Sequence, residues 1–228
     1  MIVVGFLLPL GVYLLVLGRV NQRYRPLAVS GVWDAITLLA GLSGFFLLAG
    51  PVVLTSLQER WRRLWIMGDR SVLESLDLYR PGWILAALGY FLAVVALAAW
   101  IVWRSRHLTV VYNLETEDIN DLFLQACQRA GIVAEVVPGG FRLTGCGPSP
   151  SGHVRIERMD ALKNVTLHWS AEALPLREPV EQALNGVLAE YQTPDHWAGL
   201  WITLAGLGVL TVALLVALVV VVRLSMGY

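Results

Sequence analysis

Lysine is nearly absent from this chain: of 17 basic residues, only Lys163 is not arginine. Charge of either sign is scarce, at 15% of 228 residues, and the two signs cancel to a formal net charge of zero. Soluble domains run at about one quarter charged residues, so this composition argues against an ordinary soluble protein. A neutral chain offers no polyelectrolyte attraction for nucleic acid. Cysteine is limited to Cys127 and Cys146, too few for a disulfide framework or a four-cysteine zinc site. C-x-x-C, H-E-x-x-H, Walker A and dinucleotide fingerprints are missing. The glycines at 139–140 and 145–152 connect strands and do not open a helix, so they lack phosphate-cradling geometry. No cofactor, metal site or catalytic constellation is expected.

What the chain does have is apolar sequence, 57% of the total, with a mean hydropathy of +0.63. Residues 2–18 carry no charge and as a helix would extend about 26 Å, near the short limit for a bilayer core. A signal peptide would need basic residues before its apolar run and a small-residue cleavage site. Here Arg19, Arg23 and Arg25 follow the run instead, which favours a retained helix. Residues 31–55 hold Asp34 as their only charge, and 82–103 and 197–222 hold none. Eight tryptophans (Trp33, Trp61, Trp65, Trp83, Trp100, Trp103, Trp197 and Trp201) lie in or beside the ends of these segments. An amphipathic indole favours that membrane–water boundary. The expectation is an α-helical integral membrane protein with four transmembrane helices.

Between the second and third segments, 56–80 reads as an amphipathic interfacial stretch. Leu57, Trp61, Leu64 and Trp65 recur at helical spacing among charged residues, and Ser71 with Glu74 fits a capping box. Gly31, Gly41, Gly44 and Gly50 give the second helix small faces suited to close helix packing. Asp34, one turn from the segment's end, reads as a carboxylate that snorkels to the interface. The arginine count is a near tie: Arg19, Arg23, Arg25, Arg104 and Arg106 on one side, Arg60, Arg62, Arg63, Arg70, Arg80 and Arg223 on the other. The first helix has charges only after it, and Arg104 with Arg106 resembles a stop-transfer flank. Both place the region after residue 103 in the cytoplasm.

From 104 to 196 the pattern changes to that of a water-soluble α+β domain. Leu108, Val110 and Tyr112 alternate along a first strand. A helix over roughly 115–130 follows, with Ile119, Leu122, Phe123, Ala126, Cys127 and Ala130 on one face and acidic residues at its start. Strands are expected at 132–137, 141–145, 153–159 and 164–170. A last helix should begin near Pro179, burying Val180, Ala183, Leu184, Val187, Leu188 and Tyr191. The order β-α-β-β-β-β-α with two one-sided helices predicts a two-layer sandwich.

Alternation assigns the two faces of that sheet. Phe141, Leu143, Val154, Ile156, Val165, Leu167 and Trp169 should meet the helices. Arg142, Thr144, His153, Arg155, Glu157, Thr166, His168 and Ser170 should point away from them. Antiparallel sheets commonly leave one polar face to solvent, yet two histidines, two arginines and a glutamate together also form a binding surface. Arg142, His153, Arg155, Glu157, Thr166 and His168 are therefore the candidate ligand- or partner-binding residues. Cys127 falls on the buried stripe of its helix, whereas Cys146 falls in a loop seven residues before His153.

The functional expectation is a non-enzymatic, membrane-anchored adaptor, sensor or accessory subunit, in contact with the bilayer and with a protein partner or further copies of itself. A transporter component, for which Asp34 is the one intramembrane polar residue, is a second reading. A membrane enzyme using Cys146 or the sheet histidines is a third.

Overall fold

The computed structural model describes residues 2–52, 80–115, 117–145, 151–159, 163–193 and 197–226. Helix α1 (Ile2–Asn21) is followed by strand β1 (Leu27–Ser30), which runs without a loop into α2 (Gly31–Gly44). Helix α2 continues through a π-helical turn, Phe45–Ala49, to Val52. Then come α3 (Arg80–Ser105), β2 (Leu108–Tyr112), α4 (Ile119–Arg129), β3 (Val133–Val137), β4 (Gly140–Thr144), β5 (Ser151–Met159), β6 (Asn164–Trp169), α5 (Leu174–Glu190) and α6 (Trp197–Ser225). The expected interfacial stretch 56–80, with Trp61 and Trp65, lies outside the described residues apart from Arg80.

Four of these helices are long and apolar enough to cross a membrane, over Val3–Asn21, Gly31–Val52, Ile84–Ser105 and Gly199–Val222. Helix α1 packs between α6 and α2, and α3 leans on α2. Small residues set these approaches. A Cβ on Gly41 would meet the Tyr13 side chain at 2.6 Å, and one on Gly206 would meet the Leu15 amide nitrogen at 3.0 Å. Gly44 lies against the Gly5 carbonyl, the acceptor that Pro9, lacking an N–H, leaves unpaired in α1. The Tyr90 hydroxyl of α3 donates to the Phe46 carbonyl in the π-helical turn at 2.6 Å, where the regular ladder is interrupted.

The sheet is antiparallel throughout, in the order β1-β2-β6-β5-β4-β3. The order expected over 104–196 is present as β2-α4-β3-β4-β5-β6-α5. Strand β1 is an addition: the connector between the first two long helices joins the sheet, with Leu27 opposite Tyr112 and Ser30 opposite Thr109. Helix α4 starts at Ile119 rather than near 115. Helix α5 starts at Leu174, not near Pro179. Pro175 already occupies the first turn, where its missing N–H costs nothing, and Pro179 is carried inside the helix.

Helices α4 and α5 pack together on one face of the sheet. Phe123, Phe141, Leu143, Val154, Val165, Leu167, Val180 and Leu184 are all buried there. Phe123 stacks on Phe141 with ring centroids 4.6 Å apart and lies 6.2 Å from Trp169. The core face is thus the one alternation predicts, with Ile156 only partly buried at its margin. Strand β2 differs. Thr109 and Val111 pair with Leu167 and Val165 on the helix-covered face, so Leu108, Val110 and Tyr112 point the other way.

Candidate binding face

The face turned away from α4 and α5 divides into two parts. On β4, β5 and β6 it is polar. Arg142 lies opposite His153, Arg155 opposite His168, and Glu157 opposite Thr166. All six residues expected to form a site therefore share one surface, with Arg142, His153, Arg155 and Glu157 exposed and Thr166 and His168 half-buried. His168 Nε2 is 2.9 Å from Glu157 Oε2, and Arg142 stands loosely, at 3.9 Å, from Glu135 of β3. Arg155, in the middle of the row, has no carboxylate partner among the described residues.

At the lower end of β5, the His153 amide donates to Ser170 Oγ at 3.0 Å and the Ser170 amide donates back to the His153 carbonyl. Glu172 lies beside them. Hydrogen bonds from its own amide and the Ser170 hydroxyl, with a smaller pull from His153, hold its carboxyl below the usual glutamate range. Exposed pairs of this kind contribute little stability, so an incoming anion or carboxylate can exchange into them at small cost.

On β1 and β2 the same face is apolar and turned toward the long helices. A Cβ on Gly31 would meet Leu108 Cβ at 2.6 Å. The Tyr112 hydroxyl donates to Asp34 Oδ1. Asp34, in the first turn of α2, is therefore engaged by the sheet. Burial, then the Asp34 hydrogen bond and charge, push the Tyr112 hydroxyl pKa well above its ordinary value.

Two further groups fasten the sheet to the helix ends, and alternation gives no hint of either. Asn113, at φ 57°, donates from Nδ2 to the Arg23 carbonyl. Thr193 Oγ1 donates to the Asn113 carbonyl at 2.8 Å, and the Thr193 amide donates to the Tyr24 carbonyl at 2.9 Å. Asparagine tolerates the left-handed region better than most residues, which is the only local signal at Asn113. On the other side, Arg177 donates to the carbonyls of Arg106 and Leu108 and to Glu181 Oε1 at 2.7 Å. The Thr109 hydroxyl completes this group, donating to Glu181 and accepting from Trp169 Nε1.

Trp33, Trp100, Trp103, Trp197 and Trp201 are exposed near the sheet-side ends of α2, α3 and α6. Arg104 lies over the Trp100 ring and Arg106 over the Trp103 ring, at 5.7 and 4.6 Å. Trp83 lies near the opposite end of α3.

Cys127 is fully buried, and burial pushes its thiol up to about 12. Cys146 and its loop, 146–150, lie outside the described residues. Among the described residues no three His, Cys, Asp or Glu side chains gather as a metal site. A groove of about 370 Å³ lies beside β3, lined by Leu124, Gln128, Gly131, Ile132, Val133 and Ala134, and is separate from the polar face. The chain matches no family model, no curated protein and no solved structure.

Proposed function

We propose that this chain is an integral membrane protein of four spans whose sheet domain is a non-enzymatic binding module: an adaptor, a sensor or an accessory subunit of a membrane complex. The observation that carries the reading is the polar face of β4, β5 and β6. It gathers Arg142, His153, Arg155 and His168 on one exposed surface, on a sheet fastened to the helix ends by Asn113, Thr193 and Arg177. A firm mounting of this kind suits recognition, because a ligand or partner meets arginines set at fixed backbone spacing along the sheet.

The test is a crosslinking pull-down from membranes with the full chain and with the triple variant Arg142→Ala, Arg155→Ala, His168→Ala. Recovery of a specific partner should fall at least tenfold. Unchanged recovery rejects the polar face as the site.

A further inference from the structure

The polar face has a direction as well as a composition. Strand β2 is tied to helix ends at both of its own ends: Leu108 follows three residues after Ser105 of α3, and Asn113 holds the Arg23 carbonyl just beyond α1. If those helix ends lie at one bilayer surface, β2 lies across them instead of rising away. The Tyr112–Asp34 contact gives the same answer independently. Tyr112 is about 13 Å along the strand from Leu108, and Asp34 is about 4.5 Å along α2 from Gly31. Were the strand to rise along the helix axes, those backbone positions would be about 17 Å apart, beyond the combined reach of a tyrosine and an aspartate. The side of β2 that meets the helices carries Leu108, Val110 and Tyr112.

His168 and Thr166 sit directly opposite Leu108 and Val110 on that side, and Arg155 and Glu157 are one strand further. At about 4.8 Å between strands, Arg155 lies about 10 Å from β2 and Arg142 about 14 Å from it. This carries them beyond the helix ends, over the bilayer surface. A twist of about 20–25° per strand inclines β5 by about 45° relative to β2, within what a long arginine side chain can span. Trp100 with Arg104 and Trp103 with Arg106 mark the headgroup level immediately before β2.

Charge completes the case. Glu157 is engaged by His168, and Glu135 stands 3.9 Å from Arg142. Arg155 is left at the centre with no carboxylate among the described residues. Guanidinium groups are suited to paired hydrogen bonds with phosphate oxygens. We infer that the membrane-facing polar surface of β4, β5 and β6 binds the phosphate of anionic phospholipid headgroups, chiefly through Arg155 and Arg142. This rests on the membrane placement and binding role proposed above, and names the ligand of that same face.

The experiment uses the full chain in a mild nonionic detergent. It is offered equal phosphatidylglycerol and phosphatidylcholine of matched acyl chains, and retained lipid is weighed by native mass spectrometry. Arginines elsewhere on the chain add a constant background, so the readout is the difference between variants. Arg142→Gln with Arg155→Gln should lower the preference for phosphatidylglycerol roughly fivefold or more, as expected for losing cationic contacts near an anionic surface. Arg142→Lys with Arg155→Lys keeps the charge but not the paired hydrogen bonds, so its preference should fall between those of the wild type and the glutamine variant; it controls for folding, together with an unchanged circular dichroism spectrum.

Inorganic phosphate at 10 mM distinguishes the two sources of the anion. Phosphatidylglycerol retained in its presence supports the headgroup, and complete displacement overturns the lipid assignment in favour of a soluble phosphate. Equal preference in the wild type and the glutamine variant also overturns it. Lost partner recovery in the triple variant with unaltered lipid preference would leave the broader binding role standing and this inference rejected.

Discussion

Cys127 shows how far burial can carry a single residue from its ordinary chemistry. Its thiol sits on the α4 stripe against the sheet, and loss of solvation alone pushes its pKa up to about 12 from 9.0. A neutral, enclosed thiol is a poor nucleophile. In a Cys146→Ser background, maleimide at pH 8 should leave Cys127 unlabelled until denaturant is added; rapid labelling of the folded chain would contradict its placement. The same shift has a consequence for stability. The unfolded chain ionises first, so the folded state binds more protons between pH 9 and 12 and is progressively destabilised across that range. Cys127→Ala should flatten that part of the melting-temperature profile relative to the same background.

At the scale of elements, the joint between the sheet and the long helices rests on a few buried polar contacts. Asn113 combines a left-handed backbone with a hydrogen bond to the Arg23 carbonyl, and Thr193 reaches both Asn113 and Tyr24. Asn113→Ala removes the side-chain bond and leaves a residue that disfavours positive φ, for a combined cost of about 1–3 kcal/mol. Asn113→Gly relieves the backbone while still losing the bond, so it should cost less. Amide exchange over 23–30 should speed up in both variants, more in the alanine. Unchanged protection there would show that β1 is held by its pairing with β2 alone. Four residues, Leu27–Ser30, form an element only because β2 offers them a partner some eighty positions away.

For the whole molecule, the sheet-side ends of all four long helices gather near β1, β2 and Thr193, so the sheet and the far ends of α1 and α6, at Ile2 and Ser225, belong on opposite sides of any membrane these helices cross. The arginine totals of the two sides are nearly equal; we propose the cytoplasmic side for the sheet because charges only follow the first apolar segment and because Arg104 and Arg106 resemble a stop-transfer flank. Reporters active only inside or only outside the cytoplasm, fused after Asn113 and after Tyr228, should give an inside signal at Asn113 and an outside signal at Tyr228. The reverse pattern would place the sheet outside and send the search for its partner to the cell exterior. Signals on the same side would remove the fourth span.

Local pattern was enough, in the sequence alone, to determine the four long apolar helices, the strands β2 to β6 with their two covering helices, and the partition of Phe141, Leu143, Val154, Val165, Leu167 and Trp169 from Arg142, His153, Arg155, Glu157, Thr166 and His168. Period and hydropathy are properties of neighbouring residues, and burial on one side imposes them strongly. The facing of β2 was not legible, because Leu108, Val110 and Tyr112 alternate as well as a core strand does, yet pack toward the long helices. Only the tertiary structure decided that, together with the addition of β1, the Tyr112–Asp34 contact and the joint at Arg23, Asn113 and Thr193. Each depends on one side chain or one backbone carbonyl meeting a residue distant in sequence, and a contact of that kind leaves no repeating trace along the chain.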